Sequence, residues 1–236
     1  MGVPRVLPVA LVAFFALGCS RGRDCSKLAE LTNQRSAEIA QIQARESDTP
    51  QTLATDMSAL EAAALRIATE VESVELGDEA LTHLASTYRS CARELADAAG
   101  SYATRMEALA RWRDAQRRAQ TAFDDSGRAL LDACATASPG CNDVAEVLRA
   151  QPEAPEPNEL PTVLDAYADS LDALELEDDA LSDVVDSRIR TTRAYADALT
   201  ERAQLRVDIE DARDRIDDAV DRQNSVVDQL NRACEG

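Results

Sequence analysis

Two stretches of this chain decide how it folds: VELGDEALTHLASTYRSCARELADAAG at residues 74–100 and LELEDDALSDVVDSRIRTTRAYADALT at residues 174–200. Both begin with a Leu-x-Asp-x-Ala-Leu turn and both continue without proline in steps of three and four. From Leu81 the frame runs through Leu84, Tyr88, Cys91, Leu95, Ala98, Tyr102, Leu109, Trp112, Ala119, Phe123 and Leu130 to Ala133, with Arg105, Gln116 and Ser126 as its polar members. From Leu181 it runs through Val184, Tyr195, Ala198, Leu205, Ile209, Ile216, Val226 and Leu230 to Ala233, interrupted by Arg188, Thr191, Arg202 and Gln223. Such spacing lines one face of an α-helix. Each stretch predicts one helix of about 55 residues, roughly 80 Å long at 1.5 Å per residue, with Gly127 the expected kink in the first.

The two stretches also match each other. Over residues 75–134 a shift of 100 gives 16 identities in 60, among them Leu76, Asp78, Leu81, Arg93, Ala96, Asp97, Leu130 and Cys134 with Leu176, Asp178, Leu181, Arg193, Ala196, Asp197, Leu230 and Cys234. That is the signature of an internal duplication. Shorter apolar helices precede each long one, through Leu60, Ala64, Ile67 and Val71 and through Leu160, Leu164, Tyr167 and Leu171. Tight turns at Leu76-Gly77 and Leu176-Glu177 make each pair antiparallel. The helix-compatible segments 25–44 and 141–150 are cut off by breaks at 46–50 and 151–161, the latter with four prolines, which no helix crosses. The expected fold is all-α: two tandem helical hairpins, residues 25–136 and 137–236, joined by the loop 137–140. Together they would form an elongated four-helix bundle or coiled coil whose first and third arms are broken.

Composition bounds the function. The 236 residues carry 44 acidic and 25 basic side chains, a formal net charge of −19. Affinity for nucleic acid comes from Lys and Arg neutralising phosphates, so a nucleic-acid partner is not expected, and anionic membrane surfaces are disfavoured for the same reason. With 43 alanines and only 3% aromatic residues, thin helical layers fit better than a thick globular core. Eight glycines and eight prolines are too few for the turns of an all-β chain.

Residues 1–20, MGVPRVLPVALVAFFALGCS, place Arg5 before an apolar run from Val6 to Leu17. This is a secretory leader too short to span a bilayer comfortably. The ending Ala16-Leu17-Gly18-Cys19 resembles the lipobox of bacterial lipoproteins, in which a small residue precedes the cysteine that receives diacylglycerol. The resemblance implies a signal peptide at 1–18, lipidation at Cys19 and a tether over 19–24, leaving a chain of net charge −20. Ser20, rather than Asp, implies an outer-membrane destination. An ordinary cleaved leader is the alternative.

Five further cysteines stand at 25, 91, 134, 141 and 234, in a compartment that permits disulfides. If the four arms start and end together, Cys25 pairs with Cys134 and Cys141 with Cys234; a Cys134–Cys141 loop competes sterically. Cys91 falls on the inward face and reads as core packing. The single histidine, His83, sits at a solvent-facing heptad position, and no Glu-x-x-His pair, Gly-rich phosphate loop, nucleophile elbow or Ca²⁺ loop occurs. No metal, cofactor or catalytic residue is expected.

The remaining anomaly is electrostatic. Residues 105–118 carry a local charge of +3, whereas the equivalent window 205–218 carries −3. Arg111, Trp112, Arg113, Arg117 and Arg118 are therefore a candidate partner-docking patch, against the alternative of an ordinary solvated face. The sequence thus points to a non-catalytic, lipid-anchored envelope protein acting as spacer, scaffold or interaction module with a protein partner, its oligomeric state open. The alternative is a ligand-binding or accessory subunit of an envelope complex whose ligand sits where the broken arms open the bundle.

Overall fold

The computed structural model describes residues 20–45, 47–135, 140–150 and 156–235. Every regular element among them is an α-helix: α1 (Ser20–Gln43), α2 (Pro50–Ser73), α3 (Glu79–Cys134), α4 (Cys141–Arg149), α5 (Leu160–Asp172) and α6 (Asp179–Glu235). The long helices of 56 and 57 residues follow the apolar frame closely. Along both frames only Arg202 is exposed. Local chemistry sets the helix starts. Asp78 Oδ1 accepts from the Leu81 amide at 3.0 Å and Asp178 Oδ1 from the Leu181 amide at 3.1 Å, each satisfying a first-turn donor that the helix leaves without a partner. Thr49 and Thr52 form a reciprocal capping box ahead of α2, with Pro50 at the first helical position, where its missing N–H costs nothing.

At Gly127, where a kink was expected, α3 continues as unbroken helix. Gly127 instead makes room. A Cβ there would lie 3.1 Å from Nη1 of Arg188, so the residue that looked like a helix breaker is the gap a neighbouring guanidinium uses.

The described residues divide into two compact units, one made of residues up to 108 together with those from 207 on, the other lying between 109 and 206. They do not coincide with the sequence repeats 25–136 and 137–236, because both long helices contribute a segment to each unit. Unit 1 gathers α1, α2, the first part of α3 and the last part of α6. Here α1 is antiparallel to α2, as the ion pairs Glu38–Arg66 and Arg45–Asp56 require. Leu53, Met57, Leu60, Ala64, Ile67 and Val71 of α2 are buried. On α3, Tyr88 accepts from Gln223 of α6 at 3.0 Å, and Glu94 meets Arg222 at 3.2 Å.

Unit 2 holds the rest of the two long helices with α4 and α5. Trp112 meets Ala198 and Ser126 meets Thr191, so α3 and α6 are antiparallel here as well. Its apolar cluster comprises Leu130, Val144, Tyr167, Ala168, Leu171, Leu181, Val185 and Ile189. Because α4 and α5 span only 9 and 13 residues, no residue from 113 to 122 is fully buried.

Both disulfides differ from the expected pairing. Cys25 is bonded to Cys234 and Cys134 to Cys141, with Cα–Cα distances of 5.8 and 5.4 Å. The expected Cys25–Cys134 and Cys141–Cys234 bonds treated α1 and α2 as one interrupted arm. They are a hairpin instead, the break near Pro50 reversing the chain. The start of α1 therefore returns to the start of α3: Asp24 Oδ2 accepts from the amides of Gly77 and Asp78 at 2.7 and 3.1 Å, and Lys27 donates to the Glu75 carbonyl at 2.8 Å. The last turn of α6, antiparallel to α3 in this unit, brings Cys234 to Cys25.

Candidate functional site

The leader 1–18, the lipidation candidate Cys19, the loop 136–139, and Glu46 and residues 151–155 of the two breaks lie outside the described residues. The tether begins as part of α1, which starts at Ser20.

The candidate docking patch lies on α3 in unit 2. Arg111, Arg113, Arg117 and Arg118 are exposed, and Trp112 between them is buried. The indole N–H donates to the Ala198 carbonyl at 2.6 Å, and the Arg202 guanidinium lies 5.9 Å from the indole centroid, within cation–π range. Trp112 thus belongs to the seam between α3 and α6, as its heptad position predicts, and only its arginine neighbours face solvent. Arg117 has Asp114 at 3.8 Å, an exposed pair of small worth. Their spacing follows from the helix. Arg113 and Arg117, four apart, share one flank, and Arg111 and Arg118, seven apart, share the other.

The first break is a closed turn. Asp56, buried on α2, accepts from Arg45 at 3.1 Å and from the Ser47 hydroxyl, and Pro50 and Leu53 behind it are also buried. A carboxylate so paired stitches the turn to the helix.

Cys91 is free and buried. Burial, and secondarily the nearby Glu94 carboxylate, push its thiol pKa up from the ordinary value, against a smaller opposing effect from Arg222. The reactive thiolate is therefore suppressed. Tyr88 is likewise shifted up by burial, only partly offset by the hydrogen bond from Gln223. His83 is exposed. Among the described residues no group of three or more His, Cys, Asp or Glu side chains is arranged to hold a metal ion, and no helix is long and apolar enough to cross a membrane.

One cluster was not singled out from the sequence. Arg188 occupies an inward position of α6 and is only 8% exposed. Its guanidinium stacks 3.6 Å from the Phe123 ring centroid and donates to the Phe123 carbonyl, to Ser126 Oγ at 3.3 Å and to Tyr167 Oη at 3.3 Å. Ser126 and Thr191 join hydroxyls at 2.7 Å beside it. A buried cation is costly unless polar groups receive it, and a carbonyl, two hydroxyls and two rings do so here. The available signal was an arginine in an apolar frame whose partner helix carries a glycine. The cluster ties α3, α5 and α6 together.

No protein-family model, curated protein or solved structure matches the chain.

Proposed function

We propose that this chain is a non-catalytic, lipid-anchored protein of the bacterial cell envelope, held at the outer membrane through Cys19 and serving as a helical spacer, scaffold or protein-interaction module. The observation that carries the reading is the pair of disulfides, Cys25–Cys234 and Cys134–Cys141, which persist in oxidising compartments and stand behind an apolar leader ending in Leu17-Gly18-Cys19. Buried aliphatic and alanine side chains make up the cores of both units, and the polar clusters at Asp56 and Arg188 hold helices together. These features suit a protein whose work is done by its surface.

The internal duplication belongs to the same reading. Equivalent positions carry equivalent devices: Asp78 and Asp178 start the long helices, and Arg93 reaches Glu72 as Arg193 reaches Asp172. The Tyr88–Gln223 pair of unit 1 has its counterpart, 100 residues shifted, in the Arg188–Phe123 pair of unit 2. Each disulfide joins the end of one copy's long helix to the start of the other copy's first arm.

Fractionation of cells expressing Cys19→Ser tests the anchor. A thioether-linked diacylglycerol with an N-acyl chain supplies the multiple buried chains that stable anchoring needs, so the variant should leave the membrane fraction. Unchanged membrane association with no lipid on the wild-type protein would refute it.

A further inference from the structure

We propose that the cationic stretch of α3 in one copy of this chain docks against the aspartate ridge of α6 in a second copy. The inference deepens the interaction-module reading by naming the partner.

Three observations lead to it. First, Arg113 and Arg118 are exposed with no ion pair among the described residues, and Arg117 has only the long contact to Asp114, so this stretch has charge to offer. In a chain of net charge −19 such a concentration of cations selects an anionic partner. Second, α4 and α5 span only 9 and 13 residues, and no residue of α3 from 113 to 122 is fully buried, so the arginines stand uncovered in unit 2. Third, the complement is present in the same chain. Asp211, Asp214, Asp218 and Asp221 of α6 are exposed, have no ion pair among the described residues, and fall at steps of three, four and three, which align them on one helical face.

The overall like charge of two copies opposes their approach, but at physiological ionic strength the Debye length is about 8 Å. Beyond that distance the repulsion is screened, and at contact the opposed local charges decide. Complementary charges of this kind fix partner and register more than they add bulk affinity, which is what a scaffold assembled from identical copies requires.

The test is sedimentation velocity of the full chain in density-matched neutral detergent, with micelles in excess, at 0.15 M salt. Wild type is expected to self-associate. R113E/R117E and D211R/D214R/D218R should each weaken self-association by about a hundredfold, and mixing these two variants should restore a heterodimer. Micelle sharing would be indifferent to the reversals. Wild type that stays monomeric throughout, association unchanged in both variants, or mixed variants that fail to associate would each overturn the proposal. A monomeric result leaves the anchoring of Cys19, read separately by cell fractionation, untouched.

Discussion

Removing the two disulfides one at a time should expose a large difference between them. Cys25 and Cys234 are 209 residues apart in sequence, Cys134 and Cys141 only 7. In the chain-entropy model a crosslink restricts the unfolded ensemble according to loop length. The longer loop then contributes about 5 kcal/mol and the shorter about 2 kcal/mol. With a urea slope near 2 kcal/mol/M, Cys25→Ala with Cys234→Ala should lower the unfolding midpoint by about 2.5 M, and Cys134→Ala with Cys141→Ala by about 1 M. Circular dichroism follows both units, while fluorescence of Trp112, the single tryptophan, follows unit 2. Non-reducing peptide mapping of the wild type comes first, since a Cys25–Cys134 peptide would contradict the helical-hairpin placement of α1. Equal midpoint shifts, or a larger shift from losing the short loop, would refute the loop-length reasoning.

Two glycines of the same helix should respond in opposite ways to alanine. At Gly100 the new Cβ would meet only the carboxylate end of Glu61, at 2.8 Å, a flexible group that can swing aside, so Gly100→Ala should gain up to about 1 kcal/mol of helix propensity. At Gly127 the same gain is set against displacement of the buried Arg188 guanidinium, and thermal denaturation should find Gly127→Ala less stable than wild type. Two stabilising changes would remove Arg188 from the account of why α3 needs a glycine there. Alkaline pH should weaken unit 1. Burial raises the Cys91 and Tyr88 pKa values above the ordinary 9.0 and 10.0, so below those values both groups are neutral whether folded or unfolded. As pH rises past them the unfolded chain releases protons that the folded one retains, and stability falls. Urea midpoints from pH 7 to 11 should show this decline, and Cys91→Ala with Tyr88→Phe should flatten it.

The helices were legible because their information is local. Steps of three and four from Leu81 and Leu181, the aspartate before each long helix, and the absence of proline from 79 to 134 and from 179 to 235 all speak about neighbours in sequence. The path of α1 was not, because a break around Pro50 reads the same whether the chain continues or reverses. What decides between the two is the Asp24 carboxylate on the Gly77 and Asp78 amides, a contact across more than fifty residues that no periodicity announces. The misplaced disulfides followed from that single ambiguity. At the candidate patch the pattern correctly separated Trp112, on the inward frame, from the arginines around it. It could not disclose that Arg188, equally inward, would be received by Phe123, Ser126 and Tyr167, since a charged residue in an apolar frame looks like a flaw until its partners on two other helices are known.

The bond between Cys25 and Cys234 also sets a timetable. A chain made from its N-terminus at about 5–20 residues per second exposes Cys25 roughly 10–40 s before Cys234 exists. Cys91 emerges well before that, so an oxidant acting on thiols in order of arrival would join Cys25 to Cys91 and trap the α1 hairpin against the wrong partner. Maturation must therefore either hold Cys25 reduced until the last turn of α6 is made or undo an early bond by thiol–disulfide exchange, which proceeds through attack of a thiolate on the existing bridge. The short Cys134–Cys141 loop faces no such wait, its two thiols appearing within a second or two of each other at those rates. Unit 2 can thus be sealed during synthesis while unit 1 stays open until synthesis ends, which makes the yield of correctly bonded protein a function of how fast the chain is oxidised relative to how fast it is made.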